Sequence, residues 1–175
     1  MQTSAERMVF DFDNSAEKLV SSLEYMLGYI AGRIPAQADR EDILFRSKVI
    51  ITELLTNGIK HAGEHHTRFD VEADQGRLLI SKTDNGAPLY LVNARQTTDD
   101  RKLISADPLN SLYAVWESEN QIRFASEEGS LDDFLSFEQV MEHFGILIIT
   151  RSADEFTYTW DKGTSSNIFR VLIGF

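Results

Sequence analysis

Hydrophobic and polar positions along the chain follow two different periods. Residues 8–13 alternate apolar and polar side chains, which predicts a half-buried strand. Apolar residues then recur every three or four positions over about 15–33, and again from about 39 to 61, which predicts two helices. Asp39 is a suitable N-cap for the second helix, and Gly63 is a suitable stop after it.

The second half of the chain contains the signals of two hairpins. Asp74-Gln75-Gly76 marks a turn between two short alternating segments. A second turn at residues 161–164 separates predicted strands at 155–160 and 168–175. An apolar stretch that follows Gly145 predicts a buried helix between the hairpins.

Residues 88–142, called the insertion below, have the least regular pattern. Helical spacing is predicted at 112–116 and 134–144, and a short strand at 121–124. A structureless loop of this length is uncommon in a compact domain, so we expect the insertion to fold locally. The order of elements predicts a single domain over residues 1–175. Its expected fold is an α+β two-layer sandwich, with a mixed, mostly antiparallel sheet and helices on one face.

Composition narrows the possible functions. The 175 residues include 28 acidic and 17 basic side chains and no cysteine, and the net charge is −11. Without cysteine, a disulfide scaffold, a thiolate metal site and a cysteine nucleophile are excluded. The acidic balance argues against nucleic acid as a partner. Because we find neither a run of about 20 apolar residues nor a signal-peptide pattern, we expect a cytoplasmic protein with no membrane partner.

Most of the negative charge lies in the insertion. Residues 88–142 contain 11 acidic and 4 basic side chains, a net charge of −7. The simpler interpretation is that these acidic side chains face solvent, and the alternative is an acidic surface for a basic partner. The residues of that alternative surface are Glu117, Glu119, Glu127, Glu128, Asp132 and Asp133.

Four polar residues form one stripe on the second predicted helix. They are Glu53, Asn57, Lys60 and His61, at positions i, i+4, i+7 and i+8. An ordinary amphipathic helix with its polar stripe toward solvent explains this spacing. The alternative is a functional site, because carboxylate, amide and ammonium groups on a largely buried helix need partners.

Two glycine-containing segments favour the functional interpretation. Asp84-Asn85-Gly86 follows directly on an apolar strand, and Gly145 begins a predicted helix whose free N–H groups can receive an anion. Residues 53–62 resemble the N box of the GHKL ATPases, which include gyrase and the histidine kinases, and the two glycine segments resemble the glycine boxes of that family. Gly163-Thr164 before the last strand is similar to the closing Gly-Thr of the family.

The resemblance implies a Bergerat-type fold with a site for ATP and Mg²⁺. In that family the position of Glu53 is catalytic and polarises the attacking hydroxyl or water, and that of Asn57 holds the metal. Asp84 would accept the adenine amino group, Thr164 would support Asp84, and Lys60 would approach a phosphate. The implied nucleotide-binding residues are Asn57, Lys60, His61, Asp84, Gly86, Gly145 and Thr164.

The order of elements is most similar to that of the stand-alone anti-sigma factor serine/threonine kinases. A gyrase-like ATPase would need further domains, and a histidine kinase would need a phosphoacceptor histidine before the N box, where the first 60 residues have none. The resemblance implies that a sigma factor or an anti-sigma antagonist is phosphorylated or sequestered. The apolar face of the first helix, with Leu23, Leu27 and Ile30, is either core or the seam of a homodimer.

Two positions depart from the pattern of the family. Pro88 and His143 stand where the glycine boxes have glycine, which serves lid movement at the first position and close approach to phosphate at the second. The alternative function is therefore a non-catalytic protein-binding module on a degenerate ATPase scaffold that uses the acidic insertion. We do not expect a zinc site at His61, His65 and His66, because no second cluster of ligands completes it.

Overall fold

Eight strands and three α-helices make up the part of the chain that the computed structural model describes, namely residues 6–61, 66–74, 76–93, 100–106, 109–129 and 143–175. The strands are β1 (Glu6–Phe12), β2 (Thr67–Asp74), β3 (Arg77–Asp84), β4 (Arg101–Ala106), β5 (Asn110–Trp116), β6 (Gln121–Glu128), β7 (Glu155–Asp161) and β8 (Ser166–Gly174). The helices are α1 (Leu19–Ala31), α2 (Arg40–His61) and α3 (Phe144–Ser152), and short 3₁₀ turns occur at Ala16–Lys18 and Tyr90–Asn93.

The strands form one sheet in the order β1-β2-β3-β8-β7-β6-β5-β4. Every neighbouring pair in this order is antiparallel, so the prediction of a mixed sheet is wrong for the described strands. The prediction of an α+β fold is confirmed. The physical reason is that short turns join most neighbouring strands, and such turns connect only antiparallel strands. The pairings between strands that are distant in sequence, β1 with β2, β3 with β8 and β6 with β7, are also antiparallel.

The helices and the buried face of the sheet share one hydrophobic core. On β3, alternate residues are buried from Leu78 onward, as expected for a strand with one covered face. Buried residues of α1, α2 and α3 belong to the same core cluster as those of the strands. Leu23 and Ile30 are buried in this core and Leu27 packs against it, so these three residues serve the core of the single chain.

The two helices predicted before residue 62, the helix predicted after Gly145 and the two predicted hairpins are confirmed. The helix α2 begins as expected, because the Asp39 carboxylate accepts a hydrogen bond of 3.1 Å from the backbone N–H of Asp42. Its buried residues recur at helical spacing from Ile43 to Gly58. None of the described helices has the length and apolar character that crossing a membrane requires.

The described part of the insertion extends the sheet. The prediction of a helix at 112–116 is wrong, because these residues lie in β5, whereas the predicted strand at 121–124 is confirmed as part of β6. Burial alternates with a period of two from Leu112 to Trp116, and an apolar run of only five residues does not distinguish a strand from a helix. β6 pairs with β7 and thereby joins the insertion to the sheet. The predicted helix at 134–144 lies outside the described residues except for its last two positions.

Candidate functional site

A cleft of about 310 Å³ lies between α2, the beginning of α3 and the facing ends of β3 and β8. This volume is at the lower end of the range for small-molecule sites. The lining residues are Asn57, His61, Lys82, Asp84, Ala87, Pro88, Leu89, Tyr90, His143, Gly145, Ile146, Asn167 and Phe169. The cleft therefore brings together three of the segments that the sequence analysis singled out, although long stretches of chain separate them.

Asp84 lies at the floor of the cleft and is only 4% exposed. Its Oδ1 accepts hydrogen bonds of 2.9 Å from the backbone N–H of Gly86 and of 2.9 Å from the side-chain amide of Asn167. Its Oδ2 accepts a hydrogen bond from the Lys82 ammonium. Both carboxylate oxygens are thus engaged by the chain itself.

Lys82 is a site residue that the sequence analysis missed. It is 2% exposed, forms an ion pair with Asp84, and holds its Nζ 4.9 Å from the centroid of the Phe169 ring. Burial lowers the pKa of Lys82, and the neighbouring Asp84 charge opposes that shift. A signal was present in the sequence, because the alternation of β3 places Leu78, Ile80 and Lys82 on the same buried face.

Asn167 and Tyr158 hold the loop after β3 in place. The Asn167 amide nitrogen also donates to the backbone oxygens of Gly86 and Ala87, at 3.1 and 3.2 Å. Its oxygen accepts a 2.7 Å hydrogen bond from the Tyr158 hydroxyl, which itself accepts one of 3.0 Å from the backbone N–H of Leu89. Burial raises the pKa of Tyr158 to about 12. The floor of the cleft is therefore a connected polar network.

The support that the resemblance assigned to Thr164 comes from Asn167. Thr164 lies in the exposed turn between β7 and β8, where its backbone N–H is 3.4 Å from the Asp161 carboxylate. The side chain of Thr164 also bonds Asp161 and lowers the pKa of that carboxyl. The register of the sheet explains the difference, because Asn167 is the residue of β8 that pairs with Asp84.

Glu53 and Asn57 lie against the beginning of α3. A Cβ atom added to Gly145 would be 2.8 Å from Glu53 Oε2 and 3.7 Å from Asn57 Nδ2, so a larger residue at this position would force the Glu53 carboxylate to move. At the other end of α3, Arg46 donates a 2.7 Å hydrogen bond to the backbone oxygen of Ser152. The two helices are therefore antiparallel. The carboxylate and amide oxygens near Gly145 are hard ligands that suit Mg²⁺.

Two residues of the predicted stripe have different positions relative to the cleft. His61 lines it, whereas Lys60 is exposed and is not among the lining residues.

Gly86 is buried beside Asp84 and donates to it. Of the other histidines considered for zinc, His66 is exposed and His65 lies outside the described residues.

The two departures from the family pattern both occur at the cleft. Pro88 lines it and is exposed, and His143 is 6% exposed at the position before α3. The Tyr90 hydroxyl and His143 Nε2 are 3.0 Å apart, and the two rings stack with centroids separated by 5.6 Å. His143 thus packs against the loop that follows β3.

Several acidic residues of the insertion are paired with basic side chains. Glu117 bonds Arg123 at 3.0 Å, Glu119 bonds Lys162 at 3.0 Å, and Glu127 bonds Arg101 at 2.7 Å. Such exposed pairs add little stability, but they cancel part of the negative charge that the composition shows. Glu128 is exposed, and Asp132 and Asp133 lie outside the described residues.

The cleft offers a polar floor, apolar side chains from Leu89, Ile146 and Phe169, and oxygen ligands beside a helix N-terminus. This arrangement suits a flat ring with a charged, metal-binding tail.

No protein-family model matches the chain, and no curated protein matches it either.

Proposed function

We propose that the chain is a cytoplasmic regulatory protein that binds a Mg²⁺-purine nucleotide and either phosphorylates a serine or threonine of a partner protein or sequesters that partner. ATP is the nucleotide that the resemblance implies, and a sigma factor or its antagonist is the implied partner. The observation that carries the proposal is the meeting of Asn57, Asp84 and Gly145 at one cleft. These residues come from the three segments that resemble the N box and the glycine boxes.

The base is proposed to bind at the floor. Asp84 and Lys82 supply polar groups for the edge of the ring, and Phe169 and Ile146 supply apolar contact for its faces. Purine rings bind well between apolar side chains when a few placed polar groups fix their orientation. The connected network through Asn167 keeps these polar groups in place before the ligand arrives.

The phosphates are proposed to extend toward the beginning of α3. The free N–H groups of its first turn favour an anion. Asn57 would hold Mg²⁺, with Glu53 nearby, and the metal would supply charge neutralisation for the phosphates. In phosphoryl transfer, Glu53 would accept the proton of the attacking hydroxyl while that oxygen bonds to the γ-phosphorus and the bond to the β-phosphate oxygen breaks.

Calorimetric titration with Mg²⁺-ATP and Mg²⁺-GTP tests nucleotide binding. We expect Asn57→Ala to lose binding, because the metal ligand is removed. Thr56→Ala is the matched control, since among the described residues its hydroxyl donates to the backbone oxygen of Thr52 within the same helix. Failure of the wild-type chain to bind either nucleotide at millimolar concentration would overturn the proposal.

A second candidate function is a non-catalytic partner-binding module. The observation that favours it is the engagement of both Asp84 oxygens by groups of the chain, together with Pro88 and His143 in the glycine positions. Phosphate release or partner phosphorylation that is lost in Glu53→Gln, with nucleotide binding retained, would exclude this candidate. Nucleotide binding without any turnover would favour it over the kinase.

A further inference from the structure

Two side chains that line the cleft place a hydroxyl group beside a base. The Tyr90 hydroxyl lies 3.0 Å from His143 Nε2, and the two rings stack with their centroids 5.6 Å apart. Both residues line the cleft together with Asn57 and Gly145. A nucleophile and a base within hydrogen-bonding distance of each other form the usual arrangement for group transfer to a side chain. The proposed function uses neither of these two side chains.

The two members of the pair differ in exposure. His143 is 6% exposed, so its ring is held by the surrounding chain, whereas Tyr90 is 47% exposed and its hydroxyl can meet a ligand in the cleft. Tyr158 is the contrasting case, because it is fully buried and its hydroxyl donates to Asn167. Tyr90 therefore has the access to a ligand that Tyr158 lacks.

The pair is next to the helix end toward which the phosphates are proposed to extend. His143 directly precedes α3, and its side chain does not cap the N–H groups of the first turn, which favour an anion. Gly145, in that turn, lies against Glu53 and Asn57, the residues proposed to lie near the metal. The Tyr90 hydroxyl, 3.0 Å from the side chain that precedes α3, is thus a candidate acceptor for the terminal phosphoryl group.

We propose that the chain phosphorylates itself on Tyr90, with His143 as the general base. The inference rests on the proposed binding of a Mg²⁺-nucleotide in this cleft. The phenolic oxygen of Tyr90 bonds to the γ-phosphorus, the bond from that phosphorus to the β-phosphate oxygen breaks, and the nucleoside diphosphate leaves. The hydroxyl proton moves to His143 Nε2, which can accept it in the tautomer that carries the ring proton on Nδ1. The products are phosphotyrosine, the diphosphate and a protonated imidazole.

His143 gives the reaction its expected dependence on a base. A tyrosine hydroxyl is a weak nucleophile while it keeps its proton, and an adjacent base removes that obstacle. General-base catalysis typically contributes about 100-fold or more to the rate. His143→Gln replaces the imidazole by an amide that is not a base, so the variant should incorporate phosphate about 100-fold more slowly than the wild type.

The test incubates the full chain with Mg²⁺ and ATP labelled in the γ-phosphate, without any partner protein, and locates the label by mass spectrometry. We expect phosphate on Tyr90, formed at a rate per chain that does not depend on protein concentration, because the acceptor lines the cleft of the same chain. Phosphate on His143 or on any other residue in place of Tyr90 would overturn the inference.

The matched variants are Tyr90→Phe and Tyr25→Phe. Tyr90→Phe keeps the ring and should abolish incorporation, whereas Tyr25→Phe should keep the wild-type rate, because Tyr25 is 59% exposed on α1 and does not line the cleft. Calorimetric titration separates the two proposals. Binding of Mg²⁺-ATP without incorporation, or an unchanged rate in a folded Tyr90→Phe, would overturn the inference and leave the proposed function standing. Absence of nucleotide binding by the wild type would overturn both.

Discussion

The polar network under the cleft can be tested by removing the buried hydroxyl of Tyr158 and measuring the free energy of unfolding. Tyr158 is fully buried, donates to the Asn167 oxygen and accepts from the Leu89 N–H. Tyr158→Phe removes both hydrogen bonds and leaves the two partner groups unpaired. At pH 8 the free energy of unfolding should therefore fall by about 1–3 kcal/mol.

The same residue predicts a change in this difference with pH. Its pKa is raised from 10.0 to about 12, so the folded state holds the proton more tightly than the unfolded state. The resulting stabilisation is complete below pH 10 and is lost as the pH rises from 10 to 12. Between pH 9 and pH 11 the wild type should lose about 1 kcal/mol relative to the phenylalanine variant. The gap between the two proteins should narrow by that amount.

Urea unfolding followed by tryptophan fluorescence measures both effects, because the chain has Trp116 and Trp160 as reporters. Tyr25→Phe is the control: Tyr25 is 59% exposed, so loss of its hydroxyl should leave the stability at pH 8 close to that of the wild type. If the difference in free energy of unfolding between the wild type and Tyr158→Phe is the same at pH 9 and at pH 11, burial does not raise the pKa of this phenol.

Three glycine substitutions give further predictions, each measured on the purified variant. Gly28→Ala should raise the free energy of unfolding by about 0.5–1 kcal/mol in urea titrations, because Gly28 is exposed within α1 and nothing lies within 4 Å of an added Cβ. Gly58→Ala should lower the free energy of unfolding, because the added Cβ would lie 2.8 Å from Asn14 Oδ1. A variant more stable than the wild type would contradict this contact. Gly145→Ala should displace the Glu53 carboxylate, 2.8 Å from the added Cβ, and weaken Mg²⁺-nucleotide binding with the fold retained by circular dichroism; unchanged affinity would argue against a role for this contact.

Much of the architecture followed from local signals in the sequence. The Asp39 cap and the helical spacing of apolar residues predicted α2, and the turn residues at 74–76 predicted the hairpin of β2 and β3. The strand β5 was predicted as a helix, because five apolar residues fit either structure. The segment is a strand because it pairs with β4 on one side and with β6 on the other, and a local apolar pattern does not reveal this pairing.

The candidate site was harder to predict, because it depends on the register of distant strands. The pairing of Asp84 with Asn167 joins residues 83 positions apart, and it decides which residue of the last hairpin supports the carboxylate. Motif spacing pointed to Thr164, which the turn carries away from the cleft. Lys82 was overlooked because a single lysine in a strand usually faces solvent, although the alternation of β3 already placed it on the buried side.

The central place of β8 in the sheet has a consequence for synthesis and assembly. β8 is made after the other seven described strands, yet it lies between β3 and β7 and is the strand that connects them. Until it docks, β1 to β3 and β4 to β7 are two separate half-sheets, each with an unpaired edge. Asp84 has no Asn167 beside it before that moment. The polar floor of the cleft therefore forms only in the step that joins the two half-sheets. A chain with a complete cleft is a chain whose sheet is complete.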